Sequence, residues 1–332
     1  MTKRDSFLII QTAFTGDAIL ATALAEKLHA AFPEASVDML VRKGNEGLFK
    51  GHPFLREVLV WDKRQNKHLN LWSTLKEIRK RKYDVVINVQ RFASTGFLAG
   101  FSGAGLSIGF NKNPLSFLLR TKVAHKIEMG LHEIDRNQSL IAELTDGKTM
   151  LPRLYPTPAD YDAVKNLKSQ SYITIAPASV WFTKTFPPEK WMALIDRYRN
   201  QKPEGKIYLL GSKEEAGYAK RILPDGDSEN IRNLCGKLSL LESAALMKDA
   251  EMNYTNDSAP MHLASSVNAP VTAIFCSTVP RFGFGPLSDH SVIVETKEHL
   301  SCRPCGLHGF AECPLGHFKC AHTINVSDIP VP

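Results

Sequence analysis

Short apolar runs alternate with segments of helical spacing along most of the chain, and this alternation constrains the fold more than any other feature. Phe7 to Gln11 is apolar, and the alanines and leucines of Ala18 to Ala31 follow it after a turn at Gly16 and Asp17. Two further strands and a helix are predicted at Ser36 to Val41, Tyr83 to Val89 and Leu71 to Arg81. Strands that alternate with helices form a parallel sheet with crossover helices.

The alternation weakens across Gly147 to Ser169, a polar stretch with three prolines, and then begins again. Strands of a second set are predicted at Tyr172 to Ala176, Lys206 to Leu210 and Val271 to Cys276. A chain of 332 residues, 43% of them hydrophobic, is long enough for two cores. We therefore predict two α/β domains, residues 1–155 and 170–332, joined by a connection that carries a short helix.

Charge and hydropathy limit the partners. No apolar run reaches the roughly 18 to 20 residues that span a bilayer, and Phe7 to Ile10 is shorter than a signal-peptide core. We therefore expect a cytoplasmic protein.

The net charge of +7 favours anionic partners. Basic residues are dense from Lys63 to Lys82, a run that is more typical of a solvated helix face. It lacks a nucleic-acid-binding motif, so no nucleic acid is expected.

The loop at Gly16 and Asp17 follows the first predicted strand directly. Ligands of open α/β sheets lie at the carboxyl ends of the strands, so Asp17 is a candidate site residue. The alternative is that Asp17 only caps the helix predicted from Ala18. A dinucleotide site would need G-x-G-x-x-G, and this segment has one glycine. The pattern therefore disfavours a nicotinamide enzyme.

Two loops of the second domain are suited to phosphate. Lys184, beside the hydroxyl of Thr183, follows the strand at Tyr172 to Ala176 and is alternatively part of a plain surface loop. Asp257 or Ser258 is a natural cap for the next helix, whose first amides converge where an anion could bind. An ordinary capped helix with a core histidine is the alternative there.

Two other segments have weaker signals. Glu214 and Glu215 follow a strand, where a carboxylate could accept hydrogen bonds from a ribose diol or merely favour a helix start. Near the C-terminus the spacing of four cysteines is compatible with a structural zinc site, against free cysteines packed in a loop. These four are Cys302, Cys305, Cys313 and Cys320. Cys235 and Cys276 lie in apolar contexts and are predicted to be core residues.

In their order and spacing, these segments resemble glycosyltransferase family 9, the ADP-heptose:lipopolysaccharide heptosyltransferases. The resemblance covers almost the whole chain. Its strongest part is the run from Asn256 to Ala264, which is Asn-Asp-Ser-Ala-Pro-Met-His-Leu-Ala. The other matching segments are Thr15 to Leu20, Ala176 to Pro187, Leu209 to Glu215, Asn233 to Ser239, and Pro270 with Phe275 and Thr278.

The resemblance implies a GT-B fold, with two Rossmann-like domains that face a central cleft, an acceptor-binding first domain and a donor-binding second domain. It implies transfer of a sugar, with inversion, from a nucleotide diphosphate carrier to a lipopolysaccharide core, and no cofactor for catalysis. Asp17 resembles the general base and Lys184 the lysine on the donor phosphates. The further donor residues expected are Thr183, Glu215 (or the adjacent Glu214), Asp257, Ser258, Ala259 and His262.

The acceptor side is expected to be basic. An envelope glycolipid carries phosphates and acidic sugars, so Lys63, Arg64 and Lys67 are predicted to bind it, with peripheral contact to the inner membrane surface. Three departures from the commonest family pattern leave the sugar and the acceptor open. Ser258-Ala259-Pro260 stands where threonine or serine and glycine often begin the helix, Cys276 replaces a frequent glycine after the strand at Phe275, and the cysteine-rich tail is not universal in the family. The alternatives are a GT-B transferase with another donor or a sugar-nucleotide epimerase, and a glycolipid-binding protein without enzymatic activity.

Overall fold

The strands of the computed structural model form two six-stranded parallel sheets within the described residues, which are 4–64, 66–127, 130–224 and 226–332. The chain divides into two units, Met1–Tyr155 and Pro156–Pro332, and each contains one sheet. The predicted domain boundaries and the roles of the two units stay predictions.

The first unit has its strands in the order β3-β2-β1-β4-β5-β6, which is the doubly wound order of nucleotide-binding folds. The strands are β1 (Ser6–Ile10), β2 (Ser36–Arg42), β3 (Leu55–Trp61), β4 (Val85–Asn88), β5 (Leu106–Phe110) and β6 (Thr121–Val123). The helices are α1 (Thr15–Ala31), α2 (Lys67–Arg81), α3 (Ala93–Gly100) and α4 (Glu133–Ser139).

The second unit repeats this winding, with the order β12-β11-β10-β7-β8-β9. Its strands are β7 (Tyr172–Ala176), β8 (Lys206–Leu209), β9 (Ile231–Asn233), β10 (Met252–Asn256), β11 (Val271–Phe275) and β12 (Ser291–Glu295). Its helices are α5 (Pro158–Val164), α6 (Pro188–Gln201), α7 (Ala216–Ile222), α8 (Leu240–Lys248), α9 (Ala259–Ser266) and α10 (Lys319–His322).

Burial explains why the central strands are continuous apolar runs. Four successive residues of β1, from Phe7 to Ile10, have no exposed surface, because helices cover both faces of a parallel sheet. In the second unit, Trp191 of α6 packs edge to face against Phe186 in a core that also contains Cys235 and Cys276. The two cysteines are core residues, as predicted.

Several elements differ from the sequence prediction. Helix α1 begins at Thr15, with Phe14 as its N-cap, so Asp17 lies within the first turn and the alternative that it only caps a helix from Ala18 is wrong. Strands β3 and β12 are edge strands with several exposed residues. They were missed because an edge strand lacks the continuous apolar run of a central one.

Within the described residues, no helix is long and apolar enough to cross a bilayer.

A buried carboxylate ties β2 to two neighbouring segments of the first unit. Asp38 has no exposed surface and accepts both Nε and Nη2 of Arg56, at 3.0 and 2.6 Å. The hydroxyl of Tyr83, two residues before β4, donates to the same carboxylate at 2.5 Å. Removing one member of such a buried network leaves the remaining groups without partners.

We expect Asp38→Ala to lower the free energy of unfolding by about 1–3 kcal/mol, because the buried Tyr83 hydroxyl loses its partner while the half-exposed Arg56 is solvated by water. Urea unfolding measures this. The matched control is Glu57→Ala, which removes a surface ion pair to Arg81 and should cost about 0–1 kcal/mol. Equal losses of unfolding free energy in the two variants would contradict the role of Asp38 as a buried partner of Arg56 and Tyr83.

Candidate functional site

The carboxyl edge of the first sheet brings together the loops that follow β1 and β4. The amide and the hydroxyl of Thr12 both donate to Oε1 of Gln90, at 3.1 and 2.5 Å. Asn45, after β2, accepts the Thr15 hydroxyl at 3.0 Å and donates to the Ala13 carbonyl at 3.3 Å. These bonds hold the segment that leads into α1 and therefore orient its first turn.

Asp17 is half-buried in that first turn, and a second carboxylate lies near it. Burial raises the pKa of Glu133, while Arg136, bonded to it at 2.8 Å, opposes the shift and the charge of Asp17 adds to it. Sequence reasoning identified Asp17 but missed Glu133, which begins a helix that had not been predicted. The edge therefore holds two carboxylates in one electrostatic environment.

Lys63 lies at the same edge. Its ammonium donates to the Thr12 carbonyl at 2.8 Å and stands 4.6 Å from the centre of the Trp61 ring. Burial, with smaller contributions from the charges of Arg42 and Lys67, lowers the pKa of Lys63 to about 8. Arg64 and Lys67, the other predicted acceptor residues, are exposed on the surface.

Further cations at this edge were not predicted. Arg91 and Lys112 follow β4 and β5 and are exposed. Burial, followed by the charges of Arg91, Lys112 and Arg136, lowers the pKa of His125 to about 4. The sequence does contain a signal that could have identified Arg91 and Lys112. Each is a basic residue within three positions of the end of a buried strand. The edge is thus suited to an anionic ligand.

In the second unit, a buried amide connects the ends of β7 and β10. Nδ2 of Asn256 donates to the Pro177 carbonyl at 2.7 Å, and its Oδ1 accepts the Phe186 amide at 3.0 Å. Pro177 and Phe186 are the two ends of the loop that contains Lys184. The loop is therefore held at both ends by one side chain of the neighbouring strand.

Lys184 is paired with the residue that follows Asn256. Its Nζ is 2.7 Å from Oδ2 of Asp257, and the Thr278 hydroxyl donates to the same oxygen at 2.6 Å. Ser258 is the N-cap of α9, although its side chain makes no capping bond, and Ala259 is the first helical residue. His262 is buried one turn further along α9. The structure thus assembles Lys184, Asp257, Ser258, Ala259 and His262 at one place.

Thr183 and Glu215 make other contacts. The Thr183 hydroxyl accepts the Phe310 amide at 2.8 Å and bonds to Ser277 at 3.0 Å, within a buried environment. Oε2 of Glu215 accepts the Ser212 amide at 2.7 Å, so the carboxylate lies over the loop after β8. Thr183 therefore joins the Lys184 loop to the C-terminal segment in this structure.

That C-terminal segment supports the end of β11. Arg303 donates to the carbonyls of Cys276 and Thr278, each at 2.7 Å, and to that of Phe275 at 3.1 Å. The Cys305 amide donates to the Ser277 carbonyl at 2.8 Å. The cysteine-rich segment thereby fixes the loop whose Thr278 contacts Asp257.

The four cysteines of this segment lie in one neighbourhood. Burial, followed by the thiols of Cys305, Cys313 and Cys302, raises the pKa of Cys320 to about 12, against the charge of Arg303. All are free thiols. Among the described residues, no three His, Cys, Asp or Glu side chains are grouped so as to hold a metal ion. The zinc site is therefore not formed here, and zinc binding stays a prediction.

A family model described as glycosyltransferase family 9 (heptosyltransferase) matches residues 71–309, more than two thirds of the chain. The chain belongs to glycosyltransferase family 9. This glycosyltransferase is 25% identical over 322 residues to lipopolysaccharide heptosyltransferase 1 of Pseudomonas aeruginosa, a match covering 90% of this chain and 85% of that protein.

Solved structures show the same fold. An Escherichia coli ADP-heptose lipopolysaccharide heptosyltransferase II has a TM-score of 0.77 at 20% identity, over 89% of this chain and 91% of that one. The E. coli heptosyltransferase WaaC with ADP has a TM-score of 0.71 at 19% identity, over 87% and 92%. The prediction of a GT-B fold built from two Rossmann-like domains is confirmed.

We expect the Lys63 ammonium of this glycosyltransferase to lose its proton near pH 8. Burial and neighbouring positive charge disfavour the charged form, so Lys63 is charged below about pH 8 and neutral above it. The chemical shift of its Cε in a lysine-labelled sample reports this titration, and Lys63→Arg identifies the resonance.

The neighbouring charges supply the control. Lys67→Gln should raise the midpoint of Lys63, because one repelling charge is removed. A Lys63 midpoint near the ordinary lysine value of about 10.4 would contradict the half-buried position of its ammonium against the Thr12 carbonyl.

Proposed function

We propose that this chain transfers a heptose from ADP-heptose to the core of a lipopolysaccharide acceptor, with inversion at the anomeric carbon. The observation that carries the proposal is the Lys184–Asp257 pair, 2.7 Å apart, beside the first turn of α9. A fixed cation next to a helix N-terminus is suited to a diphosphate leaving group. The proposed sugar (heptose), nucleotide (ADP) and class of acceptor (lipopolysaccharide) are taken from the names of the relatives.

The donor side stabilises the charge that develops as the nucleoside diphosphate leaves. Lys184 and the amides of Ser258 and Ala259 are proposed to bind the phosphate oxygens, with His262 behind them in α9. Asp257 is assigned a positioning role, since an ionised carboxylate has no hydrogen to donate to a phosphate. Its contact with Thr278 keeps it directed at Lys184.

Two further residues complete the donor side. Thr183 is proposed to position Lys184, because its own hydroxyl is engaged by Ser277 and Phe310. Glu215 is proposed to accept hydrogen bonds from the adenosine ribose, with Glu214 as the neighbouring alternative. Neither role needs a cofactor.

The acceptor side activates a hydroxyl. An acceptor hydroxyl has a high pKa, so a carboxylate must take its proton as the oxygen attacks the anomeric carbon and the bond to the diphosphate breaks. Asp17 is proposed to be that base, because it lies in the first turn of α1 at the carboxyl edge of the sheet. Lys63, Arg64 and Lys67 are proposed to bind the acceptor's anionic groups, joined by Arg91 and Lys112.

The direct test is transfer by the purified protein from ADP-heptose to heptose-deficient lipopolysaccharide. Asp17→Asn should lower turnover by about a hundredfold or more, the usual effect of losing a general base, and leave ADP affinity unchanged. The matched control is Asp146→Asn, which removes an exposed carboxylate of the same unit and should retain activity. Near-normal turnover in Asp17→Asn would refute the proposed base, and no transfer by the wild type would refute the function.

Lys184→Met should weaken ADP binding by about ten- to a hundredfold, because a charge-assisted hydrogen bond contributes about 1.5–3 kcal/mol. Calorimetry with ADP measures the change. Lys165→Met removes the same charge from an exposed position of the same unit and should have no effect. Equal ADP affinity in the two variants would contradict the proposed phosphate site.

We also propose that Cys302, Cys305, Cys313 and Cys320 bind a structural zinc ion. A four-cysteine set is a typical zinc ligand set, and the Phe318 amide already donates to Sγ of Cys313 at 3.4 Å. Elemental analysis should find about one zinc per chain, and Cys302→Ser with Cys305→Ser should remove it and lower the melting temperature. Protein that is metal-free yet equally stable would contradict this.

The location follows from the substrates. We propose that the protein acts in the cytoplasm, where nucleotide sugars are made, and contacts the inner membrane surface peripherally, because its acceptor is a membrane glycolipid. The basic first unit supports this proposal, since the inner leaflet is anionic.

A further inference from the structure

Positive charge is concentrated in one part of the first unit. From Lys63 to Lys126 the sequence has thirteen lysines and arginines and two acidic residues, Glu77 and Asp84. The whole chain has 41 and 34, so the rest of the chain is net negative. Glu77 is paired with Arg81, and Asp84 accepts hydrogen bonds from Ser6. The cations of this region therefore have few acidic neighbours in sequence.

Large apolar side chains are exposed in the same region, in what we call the aromatic patch. Its exposed members are Leu69 and Trp72 of α2, Phe101, and Phe117 of the 3-10 turn Ser116–Leu118. The partly buried Phe97 of α3 belongs to it through its ring contacts. Leu69 is 70% exposed, Phe117 68%, Trp72 55% and Phe101 44%. Side chains of this size are rarely exposed together without a binding role.

Ring contacts join three members of the aromatic patch. The rings of Trp72 and Phe97 meet edge to face with centres 5.2 Å apart, and those of Phe97 and Phe101 are 5.0 Å apart. The 3-10 turn packs on α3, where Leu118 lies against Gly100. The aromatic patch therefore extends across three neighbouring elements.

Helix α2 presents cations beside these apolar groups. Thr74, Leu75 and Ile78 are buried, so the opposite face of α2 is exposed. Leu69, Trp72, Lys76, Arg79 and Lys80 all lie on that face, at helical spacings of three, four and seven residues, and the last three are exposed. One face thus combines an apolar part near its N-terminal end with a cationic part near its C-terminal end.

We propose that this face binds the surface of an anionic phospholipid bilayer, with the aromatic patch inserted at the level of the headgroups and Lys76, Arg79 and Lys80 on the lipid phosphates. Trp and Phe side chains favour that interfacial layer, and cations beside them are attracted to anionic lipids. A second copy of the chain does not fit, since the surrounding charge is positive on both copies. The inference deepens the proposed membrane contact and needs no sugar acceptor.

Co-sedimentation with phosphatidylcholine vesicles, with and without phosphatidylglycerol, tests the proposal. The wild-type protein should bind the vesicles that contain phosphatidylglycerol, less strongly as salt rises, and should not bind pure phosphatidylcholine. Neutralising Lys76, Arg79 and Lys80 to Gln should weaken binding by about a hundredfold. The control neutralises three exposed lysines of the second unit, Lys165, Lys213 and Lys220, and should retain binding.

A second variant tests the apolar part of the α2 face. Leu69→Ser with Trp72→Ser should weaken vesicle binding by about tenfold or more, whereas Val292→Ser with Ile293→Ser, at exposed positions of β12, should not. The melting temperature of each variant checks that it is folded. No binding to anionic vesicles, equal binding to neutral ones, or unchanged binding in both α2 variants would each overturn the proposal. Because the vesicles contain no lipopolysaccharide, a failure of heptose transfer would leave this result unaffected.

Discussion

The geometry around Lys184 and the start of α9 depends on one buried side chain, the amide of Asn256. It bonds to the Pro177 carbonyl and the Phe186 amide, and so closes the loop between them onto the end of β10. Any other side chain of similar size would leave a buried donor or acceptor without a partner, at a cost of about 1–3 kcal/mol. Because Asn256 also sets the chain direction into Asp257, the same contact determines where Lys184 and the start of α9 meet.

Each unit has comparable hydrogen bonds at one point of its sheet. There, the connections that follow two neighbouring parallel strands run in opposite directions. In the first unit Thr12 and Gln90 connect the segments after β1 and β4. In the second, Asn256 connects those after β7 and β10. A doubly wound sheet opens a crevice at this point, where a ligand can bind. The polar bonds keep the loops around that crevice in place, and the cysteine-rich segment adds a further support through Arg303.

The central strands and the edge at which the site residues lie could be predicted from the sequence, for a physical reason. Central parallel strands are buried on both faces, so β1, β7 and β11 are visible as apolar runs, and residues that follow them lie at the carboxyl edge. Edge strands such as β3 have no such signature. The partners of the site residues were also out of reach. Glu133 beside Asp17, and Phe310 beside Thr183, are 116 and 127 positions apart in the chain, and tertiary contacts at that separation leave no periodic trace.

The most direct measurement is a crystal structure of the protein with an ADP-heptose analogue that cannot transfer its sugar. We expect the diphosphate to lie within hydrogen-bonding distance of Lys184 Nζ and of the first amides of α9, with Asp257 still bonded to Thr278. A diphosphate bound elsewhere on the second unit, or held through a divalent cation on Asp257 with Lys184 displaced, would contradict it.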